Sequence, residues 1–211
     1  MYMPEAFKED RVDVLHDAIR HAGLATLVSL TSDGLIASHI PLLLDSEPAP
    51  YGTLCGHLAR PNPQTRGAVG EAMAIFVGPN SYITPSWYAT KHETGKVVPT
   101  WNYVAIHAYG PLEFIDDPEH TRQHIEQLTD RHEAGRAAPW ATTDAPEEFI
   151  AALVRGIIGF RLPIQRLEGK WKMGQNRPLA DRLGVAKGLE QEGQSRMADL
   201  ARGDKASEVP A

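Results

Sequence analysis

Between Tyr82 and Tyr109 the chain gathers Trp87, Tyr88, Trp101 and Tyr103 beside His92, Lys96, Asn102 and His107. Aromatic faces stack on planar molecules, and an amide side chain bonds to the edge of a heterocycle, so this mix suits a mostly apolar pocket with a few placed polar groups. The same residues suit a core or a subunit interface, where large aromatics supply much of the contact area. Two other stretches, His57-Leu58-Ala59-Arg60-Pro61-Asn62-Pro63-Gln64 and Glu168-Gly169-Lys170-Trp171-Lys172-Met173-Gly174-Gln175-Asn176-Arg177, are basic, rich in amides and placed at strand ends. There Arg offers a phosphate a bidentate fork and Lys a point charge, while Asn and Gln serve a ring or a polar chain. A solvated loop is the competing reading of both.

Other chemistries lack their parts. Among nine histidines, His120 and His124 stand one helical turn apart, but no third ligand shares their face. The helix is polar throughout, so a solvated face is expected and no metal site. His16 and His21 are five apart and share a face poorly; His107 reads as a hydrogen-bonded core histidine or a contact to a planar ligand. Ser86 sits between Pro85 and Trp87, no Gly-x-Ser-x-Gly is present, and Cys55 has no basic neighbour in sequence, which removes nucleophilic hydrolysis. A single cysteine makes neither an internal disulfide nor a Cys-x-x-Cys pair, so Cys55 reads as a small core residue. Neither Gly-x-Gly-x-x-Gly nor Gly-x-x-x-x-Gly-Lys occurs, and Rossmann and P-loop nucleotide binding drop out with them.

The 211 residues are 42% hydrophobic and 23% charged, the composition of one soluble globular domain. A formal charge of −6 argues against a surface built to neutralise duplex phosphates, so DNA binding would need a local basic patch. The first residues have neither a basic nor an apolar leader segment, and no run approaches the ~20 apolar residues of a membrane span. A cytoplasmic protein with no membrane partner is expected.

The elements that must position these residues follow from periodicity and punctuation. A first helix is expected over residues 8 to 22, with Val12, Leu15 and Ile19 at helical spacing and Gly23 as its stop. Residues 24 to 30 and 35 to 45 read as a hairpin about Thr31-Ser32-Asp33-Gly34. Strands follow at 52 to 58 and 72 to 77, a turn at Gly78-Pro79-Asn80, a polar loop at 89 to 96 that is a candidate lid, and a long strand from 97 to 114. Asp117-Pro118 opens a polar helix to about Ala134, and Asp144 opens a second, carried by Phe149, Ile150, Leu153 and Val154. Residues 157 to 167 return to strand, Arg177-Pro178 starts a last helix running to about Arg202, and residues 203 to 211 read as a disordered tail. Many short strands with helices added at intervals predict a mainly β, α+β fold: an antiparallel, closed or nearly closed barrel in a single domain over 1 to 202, with helical insertions at about 117 to 155.

Taken in order, Met1-Tyr2-Met3-Pro4, Gly56-His57-Leu58-Ala59-Arg60 with Asn62-Pro63-Gln64, Gly78-Pro79 through Tyr82-Ile83-Thr84-Pro85-Ser86-Trp87-Tyr88, Val98-Pro99-Thr100-Trp101-Asn102-Tyr103, His107 with Gly110, and Lys172-Met173-Gly174-Gln175-Asn176-Arg177 resemble the signatures of the PaiB family of FMN-binding negative transcriptional regulators. The match spans most of residues 1 to 182. It implies an FMN-binding split β-barrel of the pyridoxamine-phosphate-oxidase-like kind, a homodimer with each flavin in a groove at the interface. As flavin contacts it implies Ser38 and His39, His57 and Arg60 for phosphate or ribityl, Trp87, Trp101 and Asn102 around the ring, and Lys172, Gln175 and Asn176 from the last motif; it assigns no catalytic residue. One departure is Gly174, where the family pattern resembles Lys-x-Ser-Gln-Asn-Arg and a hydroxyl is lost. The resemblance also implies repression of transcription, with DNA as a partner, although no helix-turn-helix is evident and the basic segments Lys170 to Arg177 and Arg182 to Lys187 are short. Two readings of other classes stand beside it: an FMN-dependent oxidoreductase, since a flavin carries its own redox chemistry, and a non-catalytic binding protein for a flavin or haem-type ligand.

Overall fold

A computed structural model describes residues 1–203, in two compact units. One comprises Met1–Ala22, Phe76–His107 and the chain from Glu168 onward; the other comprises Gly23–Ile75 and Ala108–Leu167. Along the chain the first strand and helix are β1 (Lys8–Glu9) and α1 (Val12–His21), followed by β2 (Ala25–Thr31), β3 (Gly34–Ile40), β4 (Leu43–Asp45), β5 (Thr53–Ala59) and α2 (Gln64–Gly67). Then come β6 (Val69–Ile83), α3 (Ala89–Thr94), β7 (Thr100–Pro111), β8 (Glu113–Ile115), α4 (Pro118–Glu133) and α5 (Glu147–Arg155). The chain ends in β9 (Ile157–Pro163), β10 (Arg166–Lys172), α6 (Leu179–Gln191) and α7 (Ser195–Arg202). Strands β6 and β7 run through the points where the chain passes from one unit to the other.

In the first unit the strand order is β1-β10-β7-β6, with Lys8 opposite Lys170 and Glu9 opposite Gly169. Helix α1 buries Val14, Leu15, Ala18 and Ile19, the i, i+1, i+4, i+5 face of an amphipathic helix. It seats on β10 where a side chain is missing: a Cβ at Gly169 would lie 2.2 Å from the Leu15 side chain. Gly184 and Gly188 do the same on α6, where a Cβ would meet the Trp87 carbonyl at 2.1 Å and its indole at 2.3 Å. Each interior glycine costs a helix about 1 kcal/mol, and here the loss is offset by close packing of Trp87. Arg182 ties α6 to α7 by donating to the carbonyls of Ala201 and Arg202, and Gly203 closes α7 in the left-handed region.

In the second unit β2 and β3 form the expected hairpin, paired from Ala25 with Ile40 to Thr31 with Gly34, and β2 pairs β6 on its other side. The alternating burial of β2 shows one face turned to a core. A second sheet has the order β4-β5-β9-β8, with β5 and β9 paired over their whole length. Helices α4 and α5 pack on it, and Asp117 caps α4 by accepting from the Glu119 amide at 2.9 Å.

Several expected boundaries move. Residues 8 and 9 are strand, not helix, because β10 offers them backbone partners. The apolar run to Asp45 breaks at Pro41, which cannot donate to a ladder, and resumes as β4. Gly78-Pro79-Asn80 is no turn: β6 continues through it, and Gly78 gives room to Val104, whose Cβ a side chain there would approach to 2.9 Å. The polar loop 89 to 96 contains α3, and the last helix is two, broken at Gly193 with φ +76°. Residues 142–144 form a separate 3-10 turn ahead of α5. His124 is not on a solvated face; it is 5% exposed, because α4 turns polar side chains toward the sheet. Of the expected tail, Gly203 belongs to the α7 cap and residues 204–211 lie outside the described residues.

Candidate functional site

The first unit holds a cavity of about 530 Å³ lined by Thr90, Lys96, Val97, Thr100 and Asn102, by Lys172, Gly174, Asn176, Arg177, Pro178 and Asp181, and by Phe7. That volume falls within the range of small-molecule sites, ~300–1,000 Å³. The turn after β10 builds one wall. Gln175 folds back to accept from the Met173 amide at 2.8 Å and donate to the Trp171 carbonyl at 2.5 Å, and the Arg177 amide donates to the Gly174 carbonyl at 2.9 Å. With φ +77°, Gly174 holds the left-handed conformation that lets this turn close. Gln175 is thus spent on the turn, and it presents Lys172, Asn176 and Arg177 to the cavity.

Lys172 Nζ donates to Thr100 Oγ1 at 2.5 Å and to the Trp101 carbonyl at 2.6 Å, and it has no carboxylate partner among the described residues. Burial pushes its pKa below the ordinary lysine value; Lys170 and Arg177 push the same way, against Tyr103. Asn102 is 3% exposed and lines the cavity, so its amide faces this space rather than bulk solvent. The one buried acid here is already satisfied: Asp181, 1% exposed, accepts from the Thr90 amide at 2.9 Å and from its hydroxyl at 3.0 Å, anchoring α3. Arg177 lies 3.8 Å from that carboxylate and stacks on Tyr88 at 3.9 Å from the ring centroid. An uncompensated ammonium, a guanidinium and two amides round one cavity fit a phosphate-bearing heterocycle such as FMN.

Of the residues picked from sequence, Asn102, Lys172 and Asn176 converge here. Trp87 packs on α6 and does not line the cavity. Trp101 is 54% exposed and meets Tyr82 edge to face at 6.3 Å. Thr90, Thr100 and Asp181 were not singled out; Asp181 sits in the first turn of a helix, where a carboxylate ordinarily signals dipole compensation rather than a buried cap for another helix.

Ser38, His39, His57 and Arg60 lie in the second unit. Ser38 donates to Gln64 Oε1 at 2.5 Å and accepts from Asn62 at 2.9 Å. Fully buried Gln64 donates onward to the Leu27 carbonyl and the Ser29 hydroxyl. His39 shares a hydrogen bond with Thr26. Arg60 donates to Asp116 at 2.5 Å and to the Arg155 carbonyl at 2.9 Å. His57 Nδ1 is buried without a partner, and its ring meets His124 edge to face at 5.3 Å.

Comparison with known proteins gives the family and the fold. Residues 1–166 match a family model described as "Putative FMN-binding domain". An uncharacterized protein of Emericella nidulans is 34% identical over 227 residues, covering 90% of each chain. The protease synthase and sporulation protein PAI 2 of Bacillus subtilis is 28% identical, over 91% of this chain and 90% of its own. Among solved structures, the FAD and haem binding protein from Mycobacterium smegmatis superposes with a TM-score of 0.57 at 18% identity, over 79% of this chain and 74% of that one, which establishes a shared fold. The chain belongs to the PaiB-type family of FMN-binding proteins, with an antiparallel split-barrel fold and a flavin as its cofactor.

Proposed function

We propose that this protein holds FMN in the cavity of its first unit and works, as a homodimer, as a PaiB-type negative regulator of transcription. The observation that carries the flavin part is Lys172, a cation without a carboxylate partner among the described residues, in one cavity with Asn102, Asn176 and Arg177. Lys172 and Arg177 supply the phosphate contacts, Asn102 and Asn176 the hydrogen bonds to ring or ribityl, and Gln175 sets the turn that aims them. Ser38, His39, His57, Arg60, Trp87 and Trp101 enter this reading on the resemblance. For the dimer, the Tyr82–Trp101 pair and Val98 form exposed apolar surface that a second copy would cover. When bound, the flavin supplies one- or two-electron redox chemistry. The regulatory part rests on the relative named for protease synthesis and sporulation.

A second reading, an FMN-dependent oxidoreductase, is favoured by what the basic segments do. Lys170 is 6% exposed and bonded to the Tyr2 carbonyl, and Arg182 is spent on α7, so neither is free for a duplex. The test is titration of the purified protein with FMN, following flavin fluorescence and sedimentation together. One flavin per subunit of a dimer is expected, and a folded protein that leaves FMN free would overturn the reading. Salt-sensitive, sequence-selective duplex binding by the loaded protein then supports repression, whereas consumption of a nicotinamide cofactor without duplex binding supports the oxidoreductase.

A further inference from the structure

The second unit has a cavity of its own, about 480 Å³, that shares no residue with the flavin cavity. Its floor is a cross-strand row: Leu43 on β4 stands opposite Cys55 on β5, and Cys55 stands opposite Arg161 on β9. Opposite residues in an antiparallel ladder share a face. Asp45, two residues from Leu43, lies on that face and also lines the cavity. The roof is His120, Gln123, His124 and Gln127 of α4, spaced i, i+3, i+4, i+7 and therefore on one helix face.

That face is the wrong kind for a purely structural role. A helix packed on a sheet normally turns apolar side chains inward, yet the buried residues of α4 are Thr121 and His124, and half-buried His120 and exposed Gln123 and Gln127 line the cavity with His124. His124 is 5% exposed and its Nε2 has no partner. Burial holds its pKa far down, at about 4, and His57 and His120 add to this, so the ring is neutral near pH 7 and has hydrogen-bonding capacity to give. Among the cavity's lining residues Arg161 and Asp45 carry opposite charges close to the Cys55 thiol: Arg161 works against the burial that raises the thiol pKa, and Asp45, whose Oδ1 also accepts from the Glu47 amide, adds to it; Glu113 on β8 stands opposite Arg161 outside the lining. Among the described residues no group of three or more His, Cys, Asp or Glu is placed to hold a metal ion. A lone anion would meet Asp45, and a lone cation would meet Arg161.

We propose that this cavity binds a small zwitterion of the α-amino-acid class, its carboxylate on Arg161 and its ammonium on Asp45, with His124 and the two glutamines taking the polar atoms of its side chain. The site stands independently of the flavin reading.

Cys55 lines the cavity and is the chain's one cysteine, which makes it a reporter. The rate at which a chromogenic disulfide reagent modifies the full-length protein is measured with glycine, alanine, glutamine, glutamate or lysine present. A bound probe at about ten times its Kd slows the reaction about tenfold. Expected is saturable protection by at least one of these, abolished in both Arg161→Gln and Asp45→Asn. Both residues are exposed, and an unchanged urea midpoint verifies that the variants fold. Protection by none of the five, or protection that survives both substitutions, overturns the proposal.

Discussion

Two strand-end motifs that look alike in sequence are put to opposite uses. His57 to Gln64 and Lys172 to Arg177 are both basic and rich in amides. In the first, Arg60 is engaged by Asp116 and the Arg155 carbonyl, and Asn62 and Gln64 bond Ser38, Ser29 and the Leu27 carbonyl. In the second, Gln175 is spent on the turn, while Lys172, Asn176 and Arg177 line a cavity, Lys172 without a carboxylate partner among the described residues. Polar side chains whose charge and bonding capacity are met internally hold a loop in place; Lys172, bonded only to neutral oxygens, keeps its charge for a ligand. The difference lies in the partners supplied by neighbouring elements, which neither motif contains.

The sharpest way to break this contrast is at Gln64, 0% exposed and bonded at both ends of its amide. Gln64→Ala leaves the Leu27 carbonyl and two hydroxyls short of a partner and opens a cavity, for a loss of about 3 kcal/mol in urea unfolding. A loss under about 1 kcal/mol, the size of one ordinary hydrogen bond, would mean that the motif is not structural after all.

The exception within the second unit is the His57–His124 pair, whose buried nitrogens have no partner. His124 falls from 6.5 to about 4 because burial, then His57 and His120, disfavour its charged form. Between those values the unfolded chain binds the proton and the folded chain does not. Stability is therefore full above about pH 6.5 and falls as pH drops toward 4, by at most about 3 kcal/mol. Urea midpoints from pH 7 to 4 should show the decline, flattened in His124→Gln. An equally steep decline in the variant would place the titration elsewhere.

Binding tests the contrast directly. Lys172→Ala removes a cation that has no competing carboxylate, and FMN affinity should fall by about 10- to 100-fold, the worth of a charge-assisted contact. Arg60→Ala should change it less than about threefold, since Arg60 must first leave Asp116. If the two losses match, Arg60 exchanges its internal partners for the flavin. Affinity should also decline with rising pH from below the ordinary lysine range, because the Lys172 pKa is lowered and deprotonation removes the charge.

Much of the frame was legible in the sequence. The hairpin at Ser32-Asp33, the Asp117-Pro118 start of α4 and the α1 stripe all state their structure locally. What was not legible depended on neighbours distant in sequence: β6 crosses Gly78-Pro79-Asn80 because Val104 fills the space over Gly78, and α4 packs inward although its buried residues are Thr121 and His124. The aromatic block marked the flavin cavity only in part, giving Asn102 but not Thr90 or Asp181, since a buried carboxylate that caps another helix looks like any first-turn acid.

Gly174 is the smallest and most local test. The family pattern carries Ser there, but here φ is +77°, and a Cβ would meet only the Arg177 side chain, at 3.7 Å. Space is therefore available and backbone strain is the cost. Gly174→Ser should lose about 1 kcal/mol of stability, the penalty of a left-handed conformation for an L residue. The new hydroxyl would line the cavity beside Lys172 and Arg177, where an oxyanion accepts one more hydrogen bond, and FMN affinity should rise by about two- to tenfold. A variant that is less stable and binds FMN more tightly would show that glycine at this turn favours the fold at the ligand's expense. A variant that is less stable and binds no better would show that the turn already presents Lys172 and Asn176 without help.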